Sequence, residues 1–226
     1  MRKIHIDYKS VKGLHDKAYR FCVGSGHAAL GLRQRWQQQF ARTCGECGFQ
    51  YIRFHGLLCD DMDVYREEEG QPVYNWMFVD ELYDAILAAG AKPFVELSFM
   101  PYALASGEKT VFWWKANVTP PKDLARWEEL IRRLTRHLTD RYGAEEVASW
   151  YFEVWNEPDH PAFFSAGMEE YFAMYAAASR AIKSVNPAYR VGGPATACAI
   201  WIPELIAFCE REKLGIDFVT YHAYGL

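Results

Sequence analysis

The sequence predicts an α/β fold of the (β/α)8 TIM barrel type, incomplete here, with about six of the eight strand–helix units. Two observations predict it. Runs of strand formers alternate strictly with helical patterns, which argues for a parallel sheet with helices outside. Polar residues also recur within or at the C-terminal halves of successive strand runs, where barrel enzymes build their sites. These are Arg53 and His55, then Glu96, then Asn156 and Glu157, then His222 and Tyr224. A doubly wound open sheet is the competing architecture. Its dinucleotide fingerprint is weak, because the first strand runs into GSGHAAL rather than G-x-G-x-x-G.

The elements follow in order. Residues 19–24 read as the first strand, entering a turn at Gly24–Ser25–Gly26. Residues 32–44 predict a helix stopped by Gly45 and Gly48. Residues 50–56 form the second strand, whose period of two sets Tyr51, Arg53 and His55 on one face and Ile52 and Phe54 on the other. The polar stretch 59–75 reads as a loop, with its charge run at 66–69 simply solvated. Residues 78–89 predict an amphipathic helix closed by Gly90. Residues 92–99 are the third strand, with Glu96 in its apolar middle. The loop 100–121 carries Trp113 and Trp114; loops this long in a compact domain are commonly functional.

Residues 122–142 predict a charged helix ending at Gly143. The fourth strand lies in 149–159, SWYFEVWNEPD, where Trp150, Tyr151, Phe152, Val154 and Trp155 are strand formers. Its nearly continuous apolar run suits a strand covered on both faces. Glu153 interrupts that run and calls for a polar partner. Pro158 is expected to hold Glu157 in extended backbone at the strand's end. Residues 167–185 predict a helix with Pro187 just beyond it. Residues 189–194, 200–213 and 217–224 complete the pattern as strand, helix and strand.

Composition narrows the chemistry. A chain of 226 residues, 50% hydrophobic, supports one sizeable core. A net charge of -4 and the lack of a basic run argue against nucleic acid. No apolar stretch approaches ~18 residues, so no membrane span is expected. The N-terminus lacks the apolar segment of an export signal, and the six cysteines are scattered, so a cytoplasmic protein with reduced thiols is the expectation. Cys44 and Cys47 form a lone C-x-x-C without a second ligand pair. H-E-x-x-H and the G-x-S-x-G serine elbow are both missing. Carboxylate chemistry on aromatic walls remains, and it points to a glycosidase, with Glu157 suited to act as general acid.

The collinear segments YRFCVGSG, YIRFHGLLCDDM, KPFVELSFMP, NVTPPKD, FEVWNEPD, RVGGPA and DFVTYHAY carry a resemblance. The sequence resembles glycoside hydrolase family 39, which includes β-xylosidases and α-L-iduronidases, and more its bacterial β-xylosidases. Asn-Glu-Pro alone suggests only the wider clan; HGLLCDDM and NVTPPKD are more specific. The resemblance covers the chain from Tyr19 onward and makes residues 1–226 the N-terminal part of a catalytic barrel. It implies a retaining exo-β-xylosidase acting on xylo-oligosaccharides. Glu157 would be the acid/base and Asn156 would bind the sugar 2-hydroxyl. His55, His222, Tyr224 and Phe163 would line the sugar subsite, and Arg53 would sit near the nucleophile. No metal or cofactor is implied, and homo-oligomerisation of a full-length form stays open.

The family's nucleophile is a second Glu ending strand seven, whereas this sequence stops at strand six. Glu96 and Glu153 lie mid-strand and are expected to be structural. The reading is therefore the front part of a longer enzyme, with little activity by itself. The alternatives are a related glycosidase such as an α-L-iduronidase, or a non-catalytic sugar-binding protein built on the truncated barrel.

Overall fold

The structure is a computed structural model that describes residues 3–224. Its elements, in chain order, are β1 (Cys22–His27), α1 (Gln34–Cys47), β2 (Tyr51–His55), β3 (Tyr65–Glu68), β4 (Gln71–Tyr74), α2 (Met77–Ala88) and β5 (Lys92–Leu97). Then follow β6 (Thr110–Val111), β7 (Ala116–Asn117), α3 (Leu124–Tyr142), α4 (Ala144–Ala148), β8 (Tyr151–Val154), α5 (Met168–Val185), β9 (Arg190–Thr196), α6 (Ile202–Glu212) and β10 (Phe218–Tyr221). Six strands, in the order β1-β2-β5-β8-β9-β10, make one parallel sheet. The sheet curls into an incomplete TIM barrel with its helices outside, and β1 and β10 are its edges.

Helix boundaries follow local chemistry. Asp123 caps α3 by accepting from the backbone N–H groups of Ala125 and Arg126, at 2.9 and 3.1 Å. Gly48 takes φ 72° at the end of α1 and returns its N–H to the Cys44 carbonyl at 2.8 Å. The helix therefore runs through Gly45 instead of stopping there. On α3, Trp127, Leu130, Ile131, Leu134 and Leu138 recur at helical spacing and are fully buried, each worth roughly 1.5–3 kcal/mol of transfer from water. The buried Trp127 indole donates to the Met174 carbonyl of α5 at 3.1 Å, locking the two helices together.

Three expectations need correction. The first strand begins at Cys22, because Ala18–Arg20 forms a 3-10 turn, and it continues through Gly24–Gly26 to His27. The polar stretch 59–75 contains the β3–β4 hairpin, turned by Glu69 and Gly70 at φ 50° and 75°. Its charge run is not simply solvated: Glu67 pairs with Arg126 at 2.6 Å and Lys122 at 3.3 Å, tying the hairpin to α3. The loop 100–121 contains the short β6–β7 hairpin.

Register brings like charges together. Glu96 of β5 lies opposite Glu153 of β8, and Glu153 lies opposite Gly192 of β9. Gly192 is required for another reason: a Cβ there would come within 2.3 Å of the Phe218 carbonyl oxygen, so only glycine lets β10 approach.

Candidate active site

The interior face of β2 carries Tyr51, Arg53 and His55, while Ile52 and Phe54 are buried on the other side, as the period of two predicts. Arg53 resolves the carboxylate clash. Its guanidinium lies 2.8 Å from Glu96 and 2.6 Å from Glu153, and it donates to Asn156 Oδ1 at 3.0 Å. Glu153 thus has the polar partner its sequence context demanded. Burial works against charge on Arg53, but Glu153 and Glu96 outweigh it and hold the guanidinium protonated. Burial alone would raise the Glu96 carboxyl, yet Arg53, His55 and the Ser98 hydroxyl keep it below the ordinary carboxylate range. His55 Nδ1 lies 2.9 Å from Glu96, and that carboxylate raises the imidazole above its usual value against the pull of burial. Burial pushes the nearby Cys22 thiol up to about 11, so it stays protonated and is no nucleophile at neutral pH.

Glu157 sits just past β8. It is not in extended backbone: its φ is 47°, and Trp155 two residues earlier has φ 72°. Tertiary contacts override the preference set by Pro158. The Glu157 N–H donates to the Ala195 carbonyl at 2.9 Å, and the buried Trp155 indole donates to the Phe163 carbonyl at 2.8 Å. Such backbone persists only when its surroundings over-determine it, and it clusters at functional sites. The Glu157 side chain is nearly buried, and its Oε1 lies 2.5 Å from His222 Nδ1. His222 is fixed in turn by its N–H to the Thr196 carbonyl, at 2.7 Å.

Arg53, His55, Asn156, Glu157, Phe163, His222 and Tyr224 all line one cavity of about 630 Å3 at the C-terminal end of the sheet. Ser25, Phe112 and His160 complete its polar and aromatic lining; sequence reasoning did not single these out. Phe112 packs against Phe163 at 5.5 Å and His55 at 5.8 Å between ring centroids. The available signal was the aromatic run Phe112–Trp114 in a long loop. A second recess, of about 550 Å3, is lined by residues such as Cys44, Tyr51 and Lys92 and carries no carboxylate. No group of three or more metal-ligating side chains occurs among the described residues. No helix among them is long and apolar enough to cross a membrane.

The cavity thus offers one carboxyl, that of Glu157, whose partner is an imidazole rather than an Arg or Lys, further imidazole and amide groups for hydroxyls, and flat rings for the apolar faces of a ligand. Arg53 is its permanent cation, and that charge is balanced by Glu96 and Glu153.

The sequence matches the family description "Glycosyl hydrolases family 39" over residues 2–226. It is 51% identical over 224 residues to a β-xylosidase of Caldicellulosiruptor saccharolyticus, covering 98% of this chain and 46% of that protein. It is 46% identical over 215 residues to a β-xylosidase of Geobacillus stearothermophilus, covering 92% of this chain and 43% of that one. The fold superposes on a monomeric β-xylosidase of Caulobacter crescentus with a TM-score of 0.91 at 42% identity, over 96% of this chain and 44% of the other. The chain spans less than half the length of these relatives. With its match running almost end to end, the chain belongs to glycosyl hydrolases family 39.

Proposed function

We propose that this chain is part of a retaining glycosidase, an exo-acting β-xylosidase that releases xylose from xylo-oligosaccharides, with Glu157 as general acid/base. The observation that carries the reading is the Glu157 carboxyl, set at a strand end in a cavity shared with Asn156, His55, Phe163 and His222. In this mechanism Glu157 donates its proton to the glycosidic oxygen as the bond to the leaving group breaks. A second carboxylate captures the anomeric carbon, and Glu157 then takes a proton from the water that releases the sugar. Asn156, held by Arg53, is placed to bind the hydroxyl next to the anomeric carbon.

Neither Glu96 nor Glu153 suits the second role, because both are buried and committed to Arg53. We assign the nucleophile to a carboxylate outside residues 1–226, about 5–5.5 Å from Glu157 as retention requires. A neutral sugar fits better than a uronate, since the cavity's guanidinium is already neutralised. That argument favours a β-xylosidase over an α-L-iduronidase.

The test compares aryl β-xylosides with aryl α-iduronides, using the protein its gene encodes. Xyloside cleavage is expected, and Glu157→Ala should lower kcat by roughly 10²–10⁴. Equal rates for the variant and the parent would remove Glu157 from the mechanism. The 226-residue chain alone is expected to be nearly inactive; substantial turnover by it, abolished by Glu157→Ala, would overturn the assignment of the nucleophile. Sugar binding by calorimetry with no hydrolysis in any form would favour a binding protein instead.

A further inference from the structure

Phe112 reaches the cavity from the β6–β7 hairpin, and the hairpin by itself supports it poorly. Each of the two strands is two residues long. Phe112 and Lys115 both take positive φ, 62° and 54°, a strained choice for residues other than glycine. Trp113 between them is 77% exposed. Some other part of the molecule must therefore set where Phe112 stands.

A stack of rings does so. The Phe112 and Trp114 rings lie 4.3 Å apart at 20°, and Trp114 stacks in turn on the His27 imidazole at 4.4 Å and 12°. His27 ends β1 and is only 4% exposed. Its Nε2 lies 2.9 Å from Asp61 Oδ2, and its ring fills the space beside Gly56, where a Cβ would come 3.3 Å from Cδ2. The far end of the stack is thus anchored on the sheet and on the turn after β2. His27, Asp61 and Trp114 are not among the residues that line the cavity. Their ring contacts connect them to the cavity through Phe112.

We propose that His27 and Trp114 are positioning residues: through the His27–Trp114–Phe112 stack they set the aromatic wall of the sugar cavity and so govern affinity for the glycoside. The proposal rests on the glycosidase reading above for its ligand. Offset ring pairs hold one another at a fixed tilt and depth. Removing a ring leaves its neighbour without partner atoms on one face, and Phe112, left with its contacts to His55 and Phe163 on the cavity side, is held less firmly in the wall. Glu157 is held separately, through Ala195 and His222, so proton donation does not depend on the stack. A lost wall weakens ground-state and transition-state binding together, which appears in KM with kcat unchanged.

The experiment uses the full protein with an aryl β-xyloside as probe, and amide hydrogen exchange of residues 110–117 as a readout that needs no substrate. His27→Ala and Trp114→Ala should raise KM about five- to twentyfold with kcat within about twofold. Exchange in the hairpin should quicken by about tenfold. His27→Phe and Trp114→Phe, which keep a flat ring, should recover most of the parent KM. Trp114→Leu fills volume without a flat ring, and it decides the matter if the alanine variants do not fold: a raised KM supports the stack. Parental KM and exchange in the ring-less variants would overturn the proposal, as would a fall in kcat at constant KM. Failure of the parent to cleave or bind the xyloside would instead sink the glycosidase reading, and hairpin exchange alone would then judge the positioning.

Discussion

Two layers of the barrel interior, two residues apart on the same three strands, have opposite characters. The lower layer holds Tyr51 on β2, Phe94 on β5 and Tyr151 on β8; the upper holds Arg53, Glu96 and Glu153. In the lower layer the Tyr151 ring meets those of Tyr51, Phe94 and Phe218 at 5.1 to 5.2 Å, and the Arg190 guanidinium lies 3.8 Å over it. That layer gains stability from buried area and ring geometry, and it offers no reactive group. The upper layer spends stability on buried charge and hands the cavity a fixed guanidinium, an imidazole and an amide. The contrast teaches that one strand periodicity serves both tasks. A step of two residues keeps the face and changes the chemistry.

The largest effect should come from breaking the upper layer. Arg53→Met leaves Glu96 and Glu153 buried against each other and should cost about 3–5 kcal/mol in urea unfolding. Replacing all three by apolar residues should regain much of that loss while sugar binding stays abolished. A small loss for Arg53→Met would show that water reaches this layer and that the contrast is overdrawn. Next comes the lower layer: Phe94→Leu should cost about 1–2 kcal/mol from lost ring pairs, with KM unchanged. A changed KM there would mean that the layers are mechanically coupled.

The smallest effect is a pH dependence from Glu96 of the upper layer and from His55, which pairs with it. The folded-state value of His55 is raised, so its contribution is complete below its ordinary value near 6.5 and is lost as pH rises through the higher folded value. Glu96 is lowered, so its contribution holds above the ordinary carboxylate range and is lost as pH falls through its lower folded value. Stability should therefore plateau between those limits, and His55→Gln should flatten the alkaline limb. An unchanged alkaline limb in that variant would detach His55 from the network.

The sequence made the sheet and the site's skeleton legible because both write themselves in side-chain periodicity. Arg53 and His55 share a face by alternation, and Glu96 and Glu153 stand out against apolar neighbours. What stayed hidden has no periodic trace. His27 was missed because Gly24 and Gly26 look like a turn, although β1 runs straight through them. Phe112 and His160 sit in loops, where only tertiary packing decides which aromatic or imidazole faces the cavity. The β3–β4 hairpin was missed because Glu69-Gly70 is not one of the strong hairpin pairs, and its strands, YREE and QPVY, do not alternate apolar and polar residues. The backbone of Glu157 defied its proline because the Ala195 carbonyl of β9 claims its N–H.

The contact between Glu157 and His222 also sets an order in time. Arg53, Glu96 and Glu153 are all on the growing chain before Glu157 emerges, so their network can assemble early. His222 follows 65 residues later. At about 5–20 residues per second of synthesis, that is an interval of roughly 3–13 s. Through that interval the carboxyl is already made but has not met its imidazole, which arrives only when β10 docks beside β9. Completion of the Glu157–His222 contact is therefore paced by β10, and a substitution that delays its docking would act as a timing defect even if the finished fold were unchanged.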